Sequence, residues 1–247
     1  MKRYLAILAL LPLLAMGGRQ QGMGPGPGMP ASAGGGGHAM TPVHTYSCGS
    51  TANFAGTTTC TITATTTGNS VLYAYSISGG AAPTLISPTC TNLAQGISAG
   101  ENYDGWCLIS NITPGTTSIT LTYSSNYTVS SIFVAEVSGL VTSSAIDQNT
   151  AITLYDSSVT GSATNVTGAV TPTNANDAIC GFVDNRTNTY TAGTLYTMLG
   201  TVNYSGTSSV AIDCRNVVGT SGTYNPGMTY LNNGEYSDVA TAALKLQ

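Results

Sequence analysis

The chain has 247 residues and a formal net charge of −4; only 6% of its residues are charged, and six are cysteines. From Thr41 onward it carries all ten acids but only three bases, Arg186, Arg215 and Lys245. That balance argues against a nucleic-acid partner, because neutralising phosphates needs clustered Lys and Arg.

The first segment, MKRYLAILALLPLLAMGG, sets Lys2 and Arg3 before an apolar run from Tyr4 to Met16 that ends in small residues. This pattern is expected to be a secretory signal peptide over residues 1–17. The run is shorter than the ~20 residues that span a bilayer, so no membrane span is expected in the mature chain. Residues 18–41 follow, with glycine and proline alternating with small residues. So little of this can be buried that it reads as a flexible tether. Residues 42–247 then read as a single β-sandwich domain.

Within that domain the apolar residues recur at every second position, the period of a half-buried strand. Val43 to Ser47 is the first candidate. CTITATTT places Cys60, Ile62 and Ala64 inward and Thr61, Thr63, Thr65 and Thr67 outward. SVLYAYSI is apolar on both parities and belongs in the middle of a sheet. Trp106 to Ser110 comes next, followed by TTSITLTY, where Thr117, Ile119, Leu121 and Tyr123 share a face. In YTVSSIFVAEV, Val129, Phe133, Ala135 and Val137 fall together, and Glu136 lies on the other parity. Asn165 to Val170, Ala178 to Asp184, Leu195 to Val202, Ser208 to Cys214 and Tyr236 to Leu246 complete the series. Turn clusters such as SGGAAP, ITPGTT and YNPG separate these segments. About a dozen strands at this spacing predict an all-β fold, a two-sheet antiparallel β-sandwich that is jelly-roll-like, with an immunoglobulin-like sandwich as the second topology. No clean internal repeat is visible.

Six cysteines in an exported chain predict three disulfides. Of the fifteen pairings, the sequential one is favoured: Cys48 with Cys60, Cys90 with Cys107, and Cys180 with Cys214. Cys180 shares the parity of Phe182, and Cys214 that of Val210 and Ile212, so the third bridge should be buried. No CxxC pair occurs, and both histidines, His38 and His44, lie at the tether, so no metal or other cofactor is predicted.

The order of segments, from TTTCTITATTTGNSVLYAYSI through YDGWCLISNITPGTTSITLTY and SSIFVAEVSGL to VATAALKLQ, resembles a loose group of secreted bacterial β-sandwich domains of unassigned function. The resemblance implies the fold and a location in extracellular or cell-surface proteins. It carries no catalytic residue, and the six cysteines exceed the group's usual pattern.

One stretch gathers chemistry. GENYDGWC holds two carboxylates, an amide, a tyrosine and the only tryptophan. Trp106 shares the parity of Leu108 and is expected in the core, with Cys107 tethering the preceding loop. Glu101, Asn102, Tyr103 and Asp104 in that loop form a candidate sugar platform, in which a ring covers C–H groups while amide and carboxylate hold hydroxyls. Glu136 is expected either solvated at a sheet rim or as half of a hydrolytic carboxylate pair with Glu101, Asp104, Asp213, Glu235 or Asp238. The GxSxG elbow is absent. Asp147, Asn149, Asp156 and Asp184 are conceivable calcium ligands but read better as solvated loop acids. The threonine stripe from Thr61 to Thr67 reads as a hydrated face, with fibre packing as its alternative.

The resulting expectation is a secreted, disulfide-stabilised surface or adhesive module, with polysaccharide or a cell-surface component as partner. A self-associating structural subunit and a carboxylate-dependent glycan hydrolase or lyase are the alternatives.

Overall fold

A computed structural model describes residues 39–50, 56–78, 82–98, 102–123, 129–155, 160–164, 168–185, 189–204, 208–219, 222–233 and 237–247. The expected signal peptide and most of the tether lie outside these residues. The first half of the chain contributes β1 (Thr41–Ser50), β2 (Thr57–Thr61), β3 (Ser70–Ser78), β4 (Leu85–Ser87), β5 (Thr91–Ser98), β6 (Asn102–Ile109), β7 (Ser118–Thr122) and β8 (Val129–Ser138). The second half contributes β9 (Ile146–Asn149), β10 (Thr153–Tyr155), β11 (Thr160–Thr164), β12 (Asn176–Asp184), β13 (Tyr190–Thr191), β14 (Thr197–Tyr204), β15 (Ser208–Val218), β16 (Thr229–Asn233) and β17 (Ser237–Lys245). All of these pair antiparallel.

The all-β antiparallel fold is as the alternation predicts, but the strands sort into four sheets rather than two. A five-stranded sheet has the order β1-β8-β3-β6-β5, and a six-stranded sheet runs β10-β17-β12-β15-β14 with β9 also on β17. Two three-stranded sheets run β2-β7-β4 and β11-β16-β13. The largest core lies between the two large sheets, where Leu72, Ala74, Trp106, Leu108, Phe133 and Ala135 meet Cys180, Phe182, Ile212, Cys214, Ala240 and Leu244. The Trp106 ring stacks on Phe182 at 5.9 Å between centroids. A second core fills the space under β2-β7-β4 with Cys60, Ile119 and Leu121 against Tyr73, Tyr75 and Val134. A third lies under β11-β16-β13, where Met228 and Tyr230 cover Val183, Ala211 and Val239. Strands β3, β6, β12 and β17 are therefore buried on both faces, which is why SVLYAYSI is apolar on both parities.

The topology contains a duplication that residue identities conceal. β9 and β10 lie end to end along β17, where β1 lies along β8. Each later strand from β11 to β17 then takes the place that β2 to β8 take in the first half, in both the large and the small sheet. The loops repeat as well. The amide of Ile112, after β6, donates to the carbonyl of Asn69 before β3; the amide of Gly219, after β15, donates to that of Ala175 before β12. The molecule is thus two similar units, each a large sheet backed by a small one, joined through their large sheets.

All three disulfides take the sequential pairing: Cys48–Cys60, Cys90–Cys107 and Cys180–Cys214. Cys180 and Cys214 stand directly opposite each other on β12 and β15 and are fully buried. Cys48–Cys60 ties the large sheet of the first unit to its small one.

Four local expectations are corrected. The strand at CTITATTT starts earlier and ends at Thr61; beyond it Ala64 is exposed while Thr65 turns inward, its amide bonded to the carbonyl of Thr116. β6 begins at Asn102, so the expected loop is strand. Of Asn165 to Val170, residues 165–167 lie outside the described set, and Val170 makes only an isolated bridge to Tyr224. The end of the expected tether also joins the fold, since Met40 is buried and exchanges two hydrogen bonds with the Asn216 amide.

Candidate functional site

β6 positions the proposed sugar-platform residues. Glu101 lies outside the described residues. Asn102 and Asp104 share the face of Trp106 and Leu108 and point toward the second unit, while Tyr103 turns into the core beneath β2-β7-β4. All three are buried, so they form no open loop.

Asp104 instead joins a cluster that sequence reasoning did not assemble. It stands opposite Ser76 on β3, and Asp184 stands opposite Asp238 on β12 and β17. These are the next inward positions beyond Ala74, Trp106, Phe182 and Ala240, so the facing layer changes from apolar to acidic at this end. Asp104 is fully buried, Asp238 is 1% exposed and Asp184 2%. Burial, reinforced by Asp184 and Asp238, holds the Asp104 carboxyl well above the ordinary range. Burial likewise raises Asp184, helped by the charge of Asp238, and it raises Asp238. The sequence marked Asp184 as a solvated loop acid; the double-sided burial of β12 makes it an interior group.

Glu136 is neither solvated nor seen paired with another carboxylate. Its Oε2 lies 2.9 Å from His44 Nδ1, and its Oε1 accepts from the Asn69 amide at 2.6 Å and the Thr66 backbone amide at 2.9 Å. Burial pushes this carboxyl up, but the bonds from His44, Asn69 and Thr66 outweigh burial and hold it below its usual range. Asn69 also lines an open recess of about 480 Å³ with Thr41, Thr67, Ser138 and Gln247. Two other acids are interior as well. Asp213 is pushed up to about 7, chiefly by burial, with its Oδ2 accepting from the amide of Gly193. Asp177 also rises to about 7, from burial and from the neighbouring Asp147. Asp147 in turn accepts from Thr173. Asn149 bonds the Leu93 carbonyl through its side chain; Asp156 and Glu235 lie outside the described residues. Among the described residues no group of His, Cys, Asp and Glu is arranged to hold a metal ion.

The open chemistry lies on the outer face of β2-β7-β4. Thr57 faces Thr122, Thr59 faces Thr120 and Thr61 faces Ser118, while Ser87 flanks Thr120 from β4. Thr57, Thr59, Thr61 and Ser87 are exposed, and Ser118, Thr120 and Thr122 are half-buried. Thr59 and Thr120 share a hydroxyl hydrogen bond of 3.1 Å. Of the threonine stripe expected from Thr61 to Thr67, only Thr61 lies in this strand; the exposed row is Thr57, Thr59 and Thr61, and β7 and β4 complete it into a two-dimensional array that only strand pairing brings together. No family model, curated protein or solved structure matches the chain.

Proposed function

We propose that the chain is a secreted contact module that holds neutral polysaccharide on the outer face of β2-β7-β4. The hydroxyl array is the observation that carries this reading. Cross-strand side chains stand about 5 Å apart, and those along a strand repeat at roughly 6.8 Å. Each threonine offers a methyl and a hydroxyl, so the face pairs with the C–H groups and hydroxyls of a sugar chain without stripping water from any charge. Three disulfides are compatible with an extracellular site of action. Among the described residues no helix is long and apolar enough to cross a membrane.

The two alternatives have less support. Edge pairing into fibres is opposed by register shifts on β1, β5 and β14, three of the outer strands of the large sheets, because such bulges twist an edge away from a partner. A carboxylate hydrolase needs acids open to substrate, whereas Asp104, Glu136, Asp213 and Asp238 are all at most 1% exposed.

The test is retention of the full chain on a panel of insoluble neutral polysaccharides, compared with Thr59→Lys and Thr120→Lys. The parent should be retained and both variants released, while a control change at exposed Val43 on β1 should have no effect. Absence of retention on the whole panel, or equal retention of the lysine variants, removes the reading.

A further inference from the structure

The buried acids at the junction of the two units have more acceptor atoms than donors. Both carboxyl oxygens of Asp104, both of Asp238, Oδ1 of Asp184 and Oδ1 of Asn102 have no hydrogen-bond partner. The Asn102 amide nitrogen is directed to Ser76 Oγ at 3.5 Å, and Asn102 also acts on Asp184. Six acceptor atoms thus lie in one buried patch where Ser76 and Asn102 are the neutral donors acting on the acids, too few to hold several ionised carboxylates away from water.

Ser76 and Asn102 favour the ionised forms of Asp104 and Asp184, but burial outweighs them. Tyr75 from β3 and Tyr190 from β13 are the other titratable groups acting on the patch, and neither carries positive charge. The described cations lie elsewhere: Arg215 sits over Tyr224 and Lys245 acts on Asp177. His44 is engaged by Glu136. Arg186 lies outside the described residues. The missing donors are supplied if the carboxyls carry protons, since a carboxylic acid O–H can serve a neighbouring carboxyl or the Asn102 oxygen.

We propose that Asp104 of the first unit, with Asp184 and Asp238 of the second, forms a proton-held latch that closes the junction in acid and loosens it as the protons leave. The ligand of this site is the proton. Asp104 faces Asp184 and Asp238 across the junction, so ionisation places like charges on opposite sheets and drives them apart. The proposal is independent of what the hydroxyl face binds.

The experiment is denaturant unfolding of the full chain between pH 4.5 and 7.5, followed by the emission of Trp106, which sits beside the latch in the same junction. The parent's unfolding equilibrium constant should rise with pH, by up to about tenfold per pH unit for each proton that only the folded chain holds. Asp104→Asn and Asp238→Asn should each fold and each lower that slope, by up to about one such factor. A parent whose stability is level or rises with pH overturns the proposal, as does an unchanged slope in either variant. Failure of the variants to fold at any pH overturns it too, because an amide imitates the protonated carboxyl that the latch requires.

Discussion

Trp106 and Glu136 show how differently two side chains of one sheet hold the molecule. Trp106 is fully buried in the junction, and replacing it with alanine removes the largest side chain there. We expect Trp106→Ala to cost about 3–5 kcal/mol in urea unfolding, with a lower midpoint. Glu136 works through its charge, fixing β1 and the turn before β3 through three donors. Its folded pKa is lowered, so its stabilisation is present above the ordinary carboxyl range and lost as pH falls through the folded value. Asp213 has the opposite sign. With a folded pKa of about 7 it holds a proton that the unfolded chain loses near its ordinary value of 3.8. Its contribution is therefore full below about pH 4 and declines as pH rises toward 7. Asp213→Asn should flatten the pH dependence of the melting temperature across that window and leave it unchanged above it. Gly105 is constrained by sterics alone: a Cβ there would sit 2.5 Å from Tyr75 Oη, so even alanine forces the buried ring to move.

At the level of elements, the disulfides differ in access as well as in the strands they join. Cys180 and Cys214 are sealed between the two large sheets, whereas Cys48 and Cys90 are each only partly buried. Mild reductant under native conditions should therefore open Cys48–Cys60 and Cys90–Cys107 before Cys180–Cys214, as read by alkylation and mass spectrometry. Removing the buried bridge as a Cys180→Ala, Cys214→Ala pair should cost about 2–4 kcal/mol, mostly by freeing the unfolded chain. The short strands explain themselves in the same terms. β4, β9, β10 and β13 are two to four residues long and pair at sheet edges, where a partner strand rather than local propensity keeps them extended.

Over the whole molecule, the shared junction decides cooperativity. Each unit has its own smaller core, but the largest one is built from both. Neither unit can unfold without exposing that surface on the other. Calorimetry at acid pH should therefore show a single transition with equal calorimetric and van't Hoff enthalpies, and two resolved transitions would contradict a shared core.

Alternation of side chains was enough to determine the all-β class, the central place of β3 in its sheet, the inward faces of β6, β12 and β15, the core place of Trp106 and the parity that buries Cys180 with Cys214. These follow from the pleat, which sends successive residues to opposite faces regardless of what lies across from them. Tertiary structure alone decided that the chain is two topologically alike units, that Asp104 meets Asp184 and Asp238, that Glu136 meets His44, and that Thr59 stands beside Thr120. Each of these joins residues far apart in sequence, and their pairing depends on sheet order and on which faces stack. Alternation sets the side on which a residue lies; only the packing of one sheet on another sets what it faces.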